Sequence, residues 1–200
     1  MKKQANPDHP IHRLIADRWS PVGFADRPVS NADLRSLFEA VRWAPSSYNE
    51  QPWRYIVATS DDPEAFRIAV ACLAEGNQAW AKYAPVLAFA VYSERFVRNG
   101  KPNRAARHDL GLAAGNLCVE ATSRGLYVHQ MIGLDPENVR AAYRIPEGFT
   151  PLTALAIGYA APSDEIPEEL RERDQRPRER NPVSTFVFGS TWGTTSELLT

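Results

Sequence analysis

The chain has 200 residues, 44% of them hydrophobic and 24% charged. This is ordinary globular usage at a length that suits one domain, which excludes a chain disordered throughout and two separately cored domains. Lys and Arg number 23 against 24 Asp and Glu, a net charge of −1; this argues against a generally basic nucleic-acid binder, so any recognition by charge must be local.

The first ten residues, MKKQANPDHP, are basic but no apolar segment follows them, so 1–10 reads as a flexible N-terminus and not as a secretory signal. Ser30 stands at capping-box spacing before Asp33, and Leu34, Leu37, Phe38 and Val41 recur at i, i+3, i+4 and i+7, which predicts a helix that runs into Pro45. Residues 53–59, aromatic and β-branched after Pro52, read as a strand. Asp62-Pro63 caps the next helix.

Two apolar stretches, 85–91 and 126–129, are candidate interior strands. A helix over about 104–124 lies between them, and its Ala106, Gly111, Ala113, Ala114 and Gly115 allow close approach of another backbone. Asp135-Pro136 opens one more helix, and 152–159 is the last clear strand. The order is neither alternating β and α nor all β, which gives the α+β class. From residue 160 onward the chain is rich in Pro, Arg and Glu and has no apolar period until the β-prone 183–188, with Trp192 beyond. This extension cannot form its own core; it is expected to cross a surface and dock 183–188 as a strand.

No apolar run approaches the ~20 residues of a membrane helix. Cys72 and Cys118 lie far apart and outside any CxxC pair, so a reducing, cytoplasmic setting is expected. Gly111 to Gly115 lacks the GxGxxG pattern, Asn99-Gly-Lys101 lacks a P-loop glycine, and no serine stands in G-x-S-x-G. His9 and His12 have no third ligand at a structural-metal spacing, while His108 and His129 read as satisfied polar groups. What remains is 44–53, APSSYNEQPW. Two serine hydroxyls, two side-chain amides and an indole between core elements are costly to leave unpaired, and a polar planar ligand would satisfy them.

PSSYNEQPW resembles the PSSxNxQPW signature of the FMN-dependent nitroreductase family. Four further segments match in order: Arg18-Trp-Ser20 followed by Phe24; Asn77, Trp80 and Ala84-Pro-Val; Gly125-Leu-Tyr-Val-His-Gln-Met-Ile-Gly133; and Arg178-Glu-Arg180-Asn-Pro182. The likeness spans about 14–190. It implies a single domain over 1–200 with a central, mostly antiparallel sheet flanked by helices, and a homodimer in which 160–200 docks on the partner.

It also implies FMN as cofactor and NAD(P)H as co-substrate. Arg18, Arg178 and Arg180 would hold the phosphate with Ser20, beside Trp19, as guanidinium forks do. Pro45, Ser46, Ser47 and Asn49 would contact the flavin from the neighbouring subunit, and Asn77 would address the pyrimidine edge. The strand end at Gln130, Met131, Ile132 and Gly133 would approach N5 and O4. The family's second N-terminal cation falls at Val22. The implied reaction is ping-pong hydride transfer through flavin N5 to a nitroaromatic, quinone or related acceptor, with no side chain as obligate catalyst and no metal. An FMN storage or sensing protein is the alternative. An RNA-binding surface on the Arg-rich tail is disfavoured by the near-neutral charge and the lack of RNP or GXXG motifs, so no nucleic-acid or membrane partner is expected.

Overall fold

The computed structural model describes residues 3–199. Four strands, β1 (Trp53–Thr59), β2 (Val86–Ser93), β3 (Tyr127–Met131) and β4 (Phe149–Gly158), form one sheet in the order β1-β2-β4-β3, with every neighbouring pair antiparallel. All of β2 is buried, the reason its sequence is apolar without alternation. Val86, Ala88 and Ala90 point to one face and Leu87 and Phe89 to the other.

The first face packs on α2 (Asn31–Arg42) and α5 (Ala106–Ser123), through Leu37, Val41, Ala113 and Leu117. The second packs on α3 (Pro63–Ala71), α4 (Glu75–Ala81) and α6 (Pro136–Tyr143), through Ala69, Trp80 and Val139. The helix starts read from the sequence are the observed ones. Ser30 accepts from the Asp33 N–H, Asp62 from that of Ala65, and Asp135 from those of Glu137 and Asn138, each satisfying a donor with no intrahelical partner.

The tail departs from expectation. Residues 183–188 are not a strand: Val183–Thr185 is a single 3₁₀ turn behind Pro182, and Phe188 pairs in an isolated bridge with Thr195. A β-prone segment needs a free sheet edge, and in one chain the tail folds on itself instead. Within the Pro-, Arg- and Glu-rich stretch that has no apolar period, Glu168–Gln175 forms α7, with Leu170 and Asp174 buried. A short helix, α1 (Arg13–Asp17), and α4 also lay unread in the sequence. Near the N-terminus, Ala5 N–H donates to the Ala16 carbonyl at 2.9 Å, and Arg178 donates to the Lys3 carbonyl at 2.7 Å. The N-terminal segment, α1 and the tail are thereby held together.

Candidate functional site

Three groups of the expected residues emerge. In the first, Arg18, Trp19, Ser20, Arg178 and Arg180 line one cleft of about 370 Å³, although Arg18 and Arg178 are 160 residues apart. Arg18 donates to Ser20 Oγ at 3.3 Å. Trp19 is buried, its ring edge-on to Tyr127 at 5.6 Å, so it forms the cleft's floor more than a polar contact. Lys3, not singled out from the sequence, lines the same cleft, and Glu179 is the one carboxylate among the described lining residues. Burial, then the charges of Arg18 and Arg180, hold the Arg178 guanidinium below its usual range. Converging cations with so little counter-charge suit a phosphate, and guanidinium forks match its geometry. A larger neighbouring cleft of about 560 Å³ shares Arg18, Arg178 and Arg180 and adds apolar walls from Ile11, Ile15 and Phe186.

The second group lies at the end of β3. Asn77 Nδ2 donates to the Gly133 carbonyl at 2.8 Å, and a Cβ on Gly133 would stand 2.6 Å from that nitrogen. A side chain at 133 would push the Asn77 amide off this carbonyl. The Met131 side chain is buried in the core, which leaves only its backbone for a ligand, whereas Ile132 is 72% exposed. Gln130 Nε2 meets Cys118 Sγ at 3.4 Å. Trp19 lies against Tyr127 and the Pro21 carbonyl bonds to His129, so the segment that carries Arg18 and Ser20 runs beside β3.

His129 donates Nδ1–H to the Pro21 carbonyl at 2.8 Å and lies against the Trp80 ring. Burial holds its imidazole below the usual 6.5. As pH falls, the unfolded chain therefore takes up this proton before the folded one, and stability rises with pH through that window. The contribution should be complete above about pH 6.5 and decline below it. Urea midpoints at pH 7.5 and 5.5 should differ more in the wild type than in His129→Gln.

The third group is the segment after α2. Pro45 and Asn49 are exposed, and Ser46 and Ser47 half-buried. Tyr48, Asn49 and Gln51 have φ of 54°, 55° and 50°, left-handed values that cost about 1–2 kcal/mol each at Tyr48 and Gln51 and less at Asn49, whose short amide side chain favours them. Several bonds hold the strain. Ser47 N–H donates to Asp109 Oδ2 at 3.0 Å, Gln51 N–H to Ser46 Oγ at 3.0 Å, and Val97 N–H to Glu50 Oε1 at 2.5 Å. Asp109 is 2% exposed. Its role was legible only in that it falls on the buried face with Ala106, Leu110 and Ala113. A strained loop fixed from behind is a sign of a binding segment. Asp109 and Cys118 are nine residues apart on α5, about 13 Å at 1.5 Å per residue, so the loop is anchored about two and a half helical turns from the Cys118 end.

Comparison with known proteins identifies the family and the fold. The model of the Nitroreductase family matches residues 15–159. A Streptomyces coelicolor protein provisionally named NADH dehydrogenase/NAD(P)H nitroreductase SCO5049 is 30% identical over 171 residues, 74% of this chain and 84% of its own. A crystal structure described as an oxidoreductase containing FMN superposes with a TM-score of 0.88 at 32% identity, over 95% of this chain and 96% of its own. A nitroreductase family protein of Clostridium difficile 630, 23% identical over 89% of this chain and 96% of its own, shares the fold with a TM-score of 0.69. With a family match over most of its length, the chain belongs to the nitroreductase family.

Proposed function

We propose that this protein is an FMN-dependent NAD(P)H oxidoreductase, working as a homodimer in the cytoplasm on nitroaromatic, quinone or related acceptors. The observation that carries this reading is the convergence of Arg18, Ser20, Arg178 and Arg180, from both ends of the chain, on one cation-lined cleft. These residues would hold the phosphate. Asn77, whose Nδ2 is occupied by the Gly133 carbonyl, offers its Oδ1 to a ring N–H, and Gly133 allows the backbone to approach a planar group. When bound, the flavin supplies two-electron chemistry, taking a hydride from NAD(P)H and passing electrons on to the acceptor. The protein's share is orientation and charge, and no side chain need act as acid or base.

Several features support a dimer with shared sites. The Ser46–Asn49 loop is anchored on Asp109 and lines none of the cleft that Arg18, Arg178 and Arg180 line, as it would be if it served the partner's flavin. The outward face of α5 presents Gly111, Leu112, Gly115 and Val119, and a Cβ at either glycine would meet nothing within 4 Å. In the tail, Phe186, Trp192 and Leu198 are 63%, 92% and 90% exposed, apolar surface that docking of 160–200 on a partner would cover. The buried free thiols of Cys72 and Cys118 suit a reducing compartment.

Purified protein should show a flavin spectrum, release FMN on heating, and bleach rapidly with NAD(P)H. Release of FAD, or a colourless protein that ignores added FMN, would overturn the proposal; slow bleaching would favour storage or sensing. Arg180→Ala should weaken FMN binding by roughly tenfold, the value of one charge-assisted contact, without lowering thermal stability.

A further inference from the structure

We propose that Lys3 is a fourth cation of the phosphate cleft, brought there by the N-terminal segment; this rests on reading that cleft as the place of the FMN phosphate. Lys3 lines the cleft together with Arg18, Ser20, Arg178 and Arg180. Its position is fixed by the backbone around it. The Lys3 carbonyl accepts from Arg178 at 2.7 Å, the same guanidinium nitrogen donates to the Ala16 carbonyl at 2.6 Å, and Ala5 N–H reaches that carbonyl at 2.9 Å. One phosphate-site arginine therefore also clamps the segment that carries the lysine.

Among the described residues the Lys3 ammonium makes no ion pair. Its ammonium meets the Asp174 backbone carbonyl and lies 5.3 Å from the centroid of the Trp19 ring. The Asp174 carboxylate beside it has both oxygens occupied by the N–H groups of Val22 and Gly23. Burial holds the Lys3 amine below its usual range, Asp174 opposes that shift, and Arg178 adds to it. An ammonium in this setting gains from an anion in the cleft more than a solvated surface lysine does. Val22 supplies no charge, and its side chain is packed in the core. Lys3 thus supplies from another direction the charge that position 22 lacks.

The test compares FMN with riboflavin, which lacks the phosphate, by fluorescence titration of the apoprotein. Lys3→Met keeps an unbranched side chain and removes the charge; it should raise the Kd for FMN about 5- to 20-fold and leave that for riboflavin unchanged. Lys3→Arg should recover most of the loss. An unchanged FMN Kd in Lys3→Met, or equal losses for both flavins, would overturn the inference while leaving the cleft in place. A wild-type protein with no preference for FMN over riboflavin would overturn the phosphate cleft itself, and this inference with it.

Discussion

Asp174→Ala is expected to cost about 3–5 kcal/mol of stability, the sum of two hydrogen bonds to a charged acceptor. Asp174 is 6% exposed, and its two carboxylate oxygens accept the Val22 and Gly23 N–H groups at 2.9 Å each. Removing it strands two donors beside the apolar Ile166 side chain, which already fills the space over Gly23. Against a typical stability of about 5–15 kcal/mol the loss is large, and at roughly 3 °C per kcal/mol the thermal midpoint of the apoprotein should fall about 10 °C or more. Asp174→Asn keeps one acceptor and sets its NH₂ against the other donor, so it should recover at most half. Because residues 22 and 23 continue directly from Arg18 and Ser20, FMN affinity should fall along with stability. A midpoint within about 3 °C of wild type would show that the carboxylate does not anchor this turn.

That bond also shows where sequence reading stops. Helix starts at Ser30, Asp62 and Asp135 were legible because each cap acts within three residues of its own position. The strands were legible because β-branched and apolar residues gather where both faces of a sheet are covered. By contrast, α7 has two inward residues in eight, Leu170 and Asp174, too few to set a period. Asp174 bonds to backbone 151 and 152 residues away, a relation no local pattern reveals. The weak apolar signal of α5 has a similar origin: its buried face is largely alanine and its outer stripe is Gly111, Leu112, Gly115 and Val119, so inside and outside look alike. In the candidate site, Arg18, Arg178 and Arg180 were found through resemblance, since an isolated arginine run reads as a solvated face. Lys3 and Asp109 were missed because nothing near them in sequence announces their partners. The error at 183–188 is of another kind. Its β propensity is real but depends on an edge to pair with, and a single chain gives it none.

Ending the chain after Asn181 should convert a dimer into a monomer and lower FMN affinity at least tenfold, about 1.4 kcal/mol. The cut is chosen so that α7, Asp174, Arg178 and Arg180 remain; a cut after Ile166 would remove them and confuse lost assembly with a lost phosphate site. What the shorter truncation deletes is Val183–Thr185, the Phe188 bridge to Thr195 and the exposed Phe186, Trp192 and Leu198. In one chain this segment contributes no residue to either core cluster, so a monomer should fold without it and keep its far-ultraviolet spectrum. Flavin loss that accompanies loss of the dimer then reports on the partner, whereas flavin loss from a protein that stays dimeric reports on the Val183 and Phe186 wall of the neighbouring cleft. The Ser46–Asn49 loop is fixed by Asp109, about 13 Å along α5 from the Cys118 end, and on the proposed reading an assembled pair brings one subunit's loop and the other's phosphate cleft to one ligand. Sedimentation equilibrium and FMN titration of the same samples decide the matter. A truncated protein that remains dimeric and yellow would show that the tail stays on its own subunit, as its internal bridge permits, and that other surfaces, α5 first among them, hold the dimer together.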